Sequence, residues 1–187
     1  MSELVAFLGQ MNQGKSALAL QMHHSLGGDG LLFTKKDRGG HGVITSRVGL
    51  KAPAGEVSPS IDLYDYVSWL HRAFRRIPYI ICDEVQFYSE KQVNHMADLV
   101  DGLGVDAYAF GLRTDFQGRL FEGSRRLLEL ADRVEGLPVK TLCWCGRRAS
   151  HTARVKDGVM VFLGDQVEIG DLEYRSLCRA HHRAGLA

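Results

Sequence analysis

The eight residues Gly9-Gln10-Met11-Asn12-Gln13-Gly14-Lys15-Ser16 constrain this chain more than any other stretch. The apolar run Leu4 to Leu8 precedes them, and Ala17-Leu18-Ala19-Leu20-Gln21-Met22 follows, with good helix formers that present apolar side chains on an inward face. A strand, a glycine-bounded loop and a helix therefore carry the spacing G-x-x-x-x-G-K-S of a phosphate-binding loop. Its glycines let backbone N–H groups close around phosphate oxygens at the positive end of the helix dipole. Gly9, Gln10, Met11, Asn12, Gln13 and Gly14 form the predicted cradle, Lys15 reaches the β and γ phosphates, and Ser16 holds Mg²⁺. The ligand this predicts is a nucleoside triphosphate.

The whole chain is long enough, at 187 residues, for one domain with a small appendage. A formal charge of +1 gives no global reason to expect a nucleic-acid partner. No segment approaches the roughly 18 uninterrupted apolar residues of a membrane helix. Met1-Ser2-Glu3 lacks the basic region of a signal peptide, and the cysteine usage fits reduced thiols, so the expectation is a cytoplasmic protein.

Strand and helix patterns alternate along the chain. Leu31 to Thr34 reads as a short strand, residues 35–60 as a long loop carrying Arg38 and Arg47, and Ile61 to Arg76 as a helix with Leu63, Val67, Leu70 and Phe74 along one stripe. An arginine in such a loop, near a triphosphate, can stabilise transferring charge. Tyr79-Ile80-Ile81-Cys82 is a continuous apolar run of the kind found in a parallel sheet covered on both faces, and it ends in Asp83-Glu84. That acidic end belongs at the carboxyl edge of the sheet, beside the phosphate loop. Asp83 fits the carboxylate that binds Mg²⁺, through its water, and Glu84, pointing the other way along the pleat, is free to act as a base. Ser89 caps a predicted helix from Glu90 to about Leu103, Val105 to Leu112 is a further strand, Arg125 to Asp132 a helix, and Val134 to Leu137 a last strand. This is an α/β pattern with a mainly parallel sheet.

The tail changes character at Pro138. Two runs flank a turn at Asp157-Gly158 and read as a hairpin. Cys143, Cys145 and Cys178, with His181 or His182, suggest a closed tetrahedral Zn²⁺ site; ordinary buried thiols are the alternative. Such a metal would replace the core that about fifty residues cannot build alone. The predicted division is a nucleotide-binding unit over residues 1–137 and a zinc-binding unit over 138–187.

Five segments together resemble the thymidine kinase family, whose members join a P-loop NTPase core to a zinc-bearing lasso. They are G-Q-M-N-Q-G-K-S at 9–16, D-R with S-R-V-G-L at 37–50, D-E-V-Q-F at 83–87, G-L-R-T-D-F-x-G-x-x-F at 111–121 and Y-x-x-x-C-R-x-H at 174–181. The resemblance implies transfer of the γ-phosphate of ATP to the 5′-hydroxyl of deoxythymidine. It makes Glu84 the general base, with Lys15 and Arg38 offsetting charge on the moving group, and adds Gln86 to Asp83 at the ATP and Mg²⁺ site. Met11, Leu112, Phe116 and Phe121 would enclose the thymine ring, while Thr152, backbone of the lasso and Tyr174 would complete the nucleoside site. Cys143, Cys145, Cys178 and His181 would hold structural Zn²⁺. The same resemblance implies a homotetramer, feedback inhibition by dTTP, and no nucleic-acid or membrane partner. A phosphate-loop ATPase with a zinc-containing, nucleic-acid-binding tail is the competing reading, and a catalytically inactive nucleotide-binding homologue is a third.

Overall fold

The computed structural model describes residues 1–36, 40–73, 76–166 and 173–187. Its largest sheet has six strands, all parallel: β1 (Leu4–Gly9), β2 (Leu31–Thr34), β5 (Gly55–Glu56), β6 (Tyr79–Cys82), β7 (Asp106–Leu112) and β8 (Arg133–Glu135), in the order β5-β2-β6-β7-β1-β8. Residues of β6 alternate between two cores, as the pleat requires. Ile80 and Cys82 face α2 (Leu63–Ala73), α3 (Glu90–Leu103) and α4 (Glu122–Leu130), meeting Leu63, Val67, Val93, Met96, Leu99 and Leu127. Tyr79 and Ile81 face α1 (Lys15–Ser25) through Ala19 and Leu20. Asp83 continues the Tyr79–Ile81 face, so the pleat delivers its carboxylate to the side that carries the phosphate loop.

The loop expected over 35–60 is corrected by the structure. It contains an antiparallel pair, β3 (Val43–Thr45) with β4 (Lys51–Pro53), and the edge strand β5. Strands of two or three residues offer no measurable periodicity, and their pairing comes from β2 and from Ile44 packing under α1. The last core helix begins at Glu122, three residues before the expected start, because Gly123 allows a close approach. A Cβ there would lie 2.1 Å from the Val85 carbonyl oxygen. The helix expected over 61–76 is α2, and its stripe residue Phe74 lies outside the described residues.

Helix α3 starts with a reciprocal cap. Ser89 Oγ accepts from Gln92 N at 3.3 Å and Gln92 Oε1 accepts from Ser89 N at 3.1 Å, satisfying two donors that the first turn leaves open. Beyond the parallel sheet, β9 (His151–Lys156) lies between β10 (Val159–Val161) and β11 (Glu173–Leu177), and α5 (Arg179–Ala184) follows. The turn expected at Asp157-Gly158 joins β9 to β10 with both residues at positive φ, 52° and 77°. That pair of left-handed residues matches the right-handed twist of a two-residue hairpin.

Candidate active site

Strand order sets the geometry of the site. β7 separates β1 from β6, so the phosphate loop and Asp83 stand two strand spacings apart, about 9–10 Å, with Leu112 at the end of the strand between them. The loop turns inward through Asn12 at φ 64° and Gly14 at φ 72°. Gly9 has no room for a side chain, because a Cβ would meet Gln13 Oε1 and Leu137 Cδ1 at 2.3 Å. Gln13 Oε1 instead accepts from Gln10 N at 2.7 Å, and Lys15 Nζ donates to the Gln10 carbonyl at 2.8 Å. No acidic residue lies in the first turn of α1, so the positive helix end is left for an anion.

Asp83 is fully buried, and its Oδ1 accepts from Glu84 N at 2.9 Å. Its Oδ2 is buried with no hydrogen-bond partner among the described residues. Burial first, and Glu84 second, push the Asp83 carboxyl up to about 7, against the opposing pull of Ser16 and Lys15. A buried, unpartnered carboxylate oxygen near a serine hydroxyl is a hard-oxygen environment that fits Mg²⁺.

Glu84 breaks the pleat. It takes the left-handed region at φ 56°, ψ 35°, and leads into a 3-10 turn over Val85–Phe87. Gln86 Nε2 donates to Glu84 Oε2 at 2.5 Å, while Leu112 N donates to Gln86 Oε1 at 2.9 Å. Gln86, expected at ATP and Mg²⁺, thus has its amide engaged with the base candidate and with β7. The close fit depends on Gly111, whose Cβ would sit 2.7 Å from Val85 Cγ2 and 2.8 Å from Gln86 Oε1.

Of the expected nucleoside residues, Phe116, Phe121 and Thr152 are buried, and Met11, Leu112 and Tyr174 are half-buried. The loop at 113–121 is shaped by Asp115, whose Oδ1 accepts from the backbone N–H groups of Gln117 and Arg119, both at 2.9 Å. Two amides tie this loop to the segment after β10: Gln166 Nε2 donates to Asp115 Oδ2 at 2.9 Å, and Gln117 Nε2 to the Phe162 carbonyl at 2.8 Å. Arg154, which the sequence did not single out, lies with its guanidinium carbon 3.8 Å from the Phe116 ring centroid and 5.8 Å from that of Tyr174. It brings those two rings together. Only the opposition of Arg154 and Tyr174 across β9 and β11 could have signalled it, and that needs the register. Phe121 packs edge-on to Phe87 instead, at 6.1 Å. The hydroxyl of Thr152 donates to Gln10 Oε1 at 3.1 Å. Arg38 lies outside the described residues.

The ligand atoms of Cys143, Cys145, Cys178 and His181 all lie within 4.8 Å of one another. Tetrahedral Zn–S bonds of about 2.3 Å imply ligand-to-ligand edges of about 3.8 Å. The Cys145–Cys178 sulfurs are 3.9 Å apart and Cys143 Sγ is 3.3 Å from His181 Nδ1, so the group fits a structural zinc. Burial disfavours the Cys143 thiolate, but backbone N–H groups of Cys145 and Cys178 and the His181 ring outweigh it and bring the thiol down to about 6. Trp144 stacks on His181 at 4.1 Å, whereas His182 turns away and bonds through Nε2 to the Phe116 carbonyl at 2.8 Å. The sequence left His181 and His182 as alternatives, and this geometry puts His181 in the group.

A family model for thymidine kinase matches residues 2–182, which takes in the phosphate loop, the carboxylates and the Cys/His group. The chain belongs to the thymidine kinase family. It is similar to the thymidine kinase of Cutibacterium acnes, at 51% identity over 196 residues covering 100% of this chain and 90% of that one. The thymidine kinase of Streptomyces coelicolor is 50% identical over 193 residues, covering 98% and 89%. That of Vibrio cholerae is 39% identical over 193 residues, covering 100% and 99%. Among solved structures, a Pif1 helicase from Candida albicans covers 73% of this chain and 36% of its own, at 20% identity and a TM-score of 0.41, a likeness too distant to bear on function. The competing ATPase reading is not favoured, since the thymidine kinase match runs through the tail that reading assigned to nucleic acid.

Proposed function

We propose that this chain transfers the γ-phosphate of ATP to the 5′-hydroxyl of deoxythymidine, giving dTMP and ADP. The observation that carries the reading is the placement of Glu84 next to the buried Asp83, held by Gln86 at the strand ends that face a phosphate loop, in a chain of the thymidine kinase family. The nucleoside oxygen attacks phosphorus as the bond to the β–γ bridging oxygen breaks; the hydroxyl proton passes to the Glu84 carboxylate and the leaving charge stays on ADP. Lys15 exchanges the Gln10 carbonyl for phosphate oxygens, and the loop N–H groups orient the triphosphate. Ser16 and Asp83 would hold Mg²⁺, which would neutralise charge on the β and γ phosphates. Leu112, Phe116, Phe121, Met11 and Tyr174 supply the apolar walls that a flat pyrimidine needs, with Arg38 at the phosphates.

Residues 1–137 then form the catalytic core and 138–187 the lasso, with Zn²⁺ on Cys143, Cys145, Cys178 and His181 as its fastening. Among the described residues no helix is long and apolar enough to cross a membrane. A cytoplasmic homotetramer, inhibited by dTTP and without a nucleic-acid partner, completes the proposal on family resemblance.

Transfer of labelled phosphate to a nucleoside panel, with single-stranded DNA as control, tests it. Thymidine is phosphorylated, deoxyuridine more weakly and purines not at all; free phosphate released only with DNA would refute the reading. Glu84→Gln lowers turnover by about 10²–10⁴-fold while ATP binding by calorimetry is retained. Surviving turnover would remove Glu84 from the base role.

A further inference from the structure

Gln10 is buried, and all four of its polar groups are engaged within the protein. Its Nε2 donates to the Ser150 carbonyl at 2.5 Å and its Oε1 accepts from Thr152 Oγ1 at 3.1 Å. Its N–H donates to Gln13 Oε1 at 2.7 Å, and its carbonyl accepts from Lys15 Nζ at 2.8 Å. One residue of the phosphate loop is thereby fastened to the start of β9.

A strut of this kind would ordinarily serve only stability. Two features set this one apart. Its carbonyl holds the ammonium that an arriving triphosphate draws away, because the motif places Lys15 on the β and γ phosphates. Its amide holds Ser150 and Thr152, at the start of the strand that lays Arg154 on Phe116 and pairs with Tyr174 of β11. A ligand at either end therefore acts on the residue that fixes the other end.

We propose that Gln10 couples the two substrate sites, so that ATP and nucleoside each tighten the binding of the other. Once Lys15 has turned to phosphate, the Gln13 bond and the side-chain bonds to Ser150 and Thr152 hold Gln10, beside the bond from Arg113 N to the adjoining Gly9 carbonyl at 2.9 Å. A nucleoside that orders β9 gives the loop its phosphate-receiving shape in advance, and a bound triphosphate does the same for β9. The second ligand then meets a smaller ordering cost. Linkage makes the effect equal in both directions. The inference rests on the phosphotransfer reading above.

Calorimetric titration of the full-length protein with thymidine, with and without the non-hydrolysable imido analogue of ATP, tests it. The expected ratio of thymidine dissociation constants is about fivefold or more in the wild type. Gln10→Met keeps length and burial but removes both side-chain bonds, and brings the ratio close to one. Thr152→Val removes only the hydroxyl and gives an intermediate ratio, with no loss in the double variant beyond that of Gln10→Met. Melting temperature and zinc content check that each variant is folded, and Thr152→Val carries the test if Gln10→Met is not. A purely structural strut would weaken stability and leave the ratio unchanged, which would overturn the proposal. So would a wild-type ratio of one in a protein that phosphorylates thymidine. A wild type that neither binds nor phosphorylates thymidine would overturn the phosphotransfer reading itself.

Discussion

The parallel sheet and the three-stranded sheet around β9 differ in what lies between their elements. In the first, fully buried Ile80, Cys82, Ala107 and Ala109 meet Val67, Val93, Met96 and Leu99 from two helices. In the second, the buried cluster is Cys143, Ala153, Met160, Leu177 and Cys178, two of which are zinc-ligand candidates. Each large aliphatic group withdrawn from water contributes about 1.5–3 kcal/mol, so the first region can order itself by burial and the second cannot. At one end it carries a Cys/His group that fits structural zinc, and at the other it is joined to the core and its loops by polar ties through Gln10, Gln117 and Gln166. A region that owes its order to removable bonds can loosen while the parallel sheet stays folded.

The contrast predicts that the two regions fail separately. Metal removal has the largest effect: structural zinc supplies about 10–16 kcal/mol in small zinc peptides. Cys178→Ser, or a strong chelator, releases zinc, abolishes amide-exchange protection across β9, β10 and β11 and stops thymidine phosphorylation, while the far-ultraviolet circular dichroism of the parallel sheet persists. Loss of both sheets in one transition would break the contrast. Ile80→Ala works on the other side. It costs about 2–5 kcal/mol and lowers the main melting transition without changing zinc stoichiometry. An altered metal content would show that the two regions are not independent.

The smallest expected effect is on pH dependence. Burial first, then His182, Arg113 and Arg179, hold His151 below its ordinary value of 6.5. The folded state therefore binds this proton less readily than the unfolded chain does. Its contribution is intact above 6.5 and is lost as pH falls below that. His151→Gln should flatten the fall in melting temperature between pH 7 and 5, measured by calorimetry. An unchanged slope would remove His151 from the account.

The core was legible in sequence where a local pattern was long enough. The apolar run Tyr79–Cys82, the Ser89 cap and the Asp157-Gly158 turn each carry their own signal within a few residues. β3, β4 and β5 do not, because pairs of two or three residues are created by their neighbours. The insertion of β7 between β1 and β6 is likewise a long-range choice. At the site, Lys15 and Ser16 follow from motif spacing, and the placing of Asp83 and Glu84 at the sheet edge follows from the apolar run they end. The partners of Gln10, the place of Arg154 against Phe116 and the division of labour between His181 and His182 depend on residues more than a hundred, nearly forty and more than sixty positions away in the chain. No single-sequence pattern encodes those distances.

Glu84 has a left-handed backbone, which L-residues adopt at a cost of about 1–2 kcal/mol and which asparagine tolerates better. It also sits against a buried neighbour of like charge. The fold alone would accept a neutral asparagine at this position more readily than the acid it carries. Selection for stability alone at this codon therefore runs towards asparagine. Where the glutamate persists down a lineage, a demand other than stability retains it, and a copy of this gene selected for stability alone should shed the acid early.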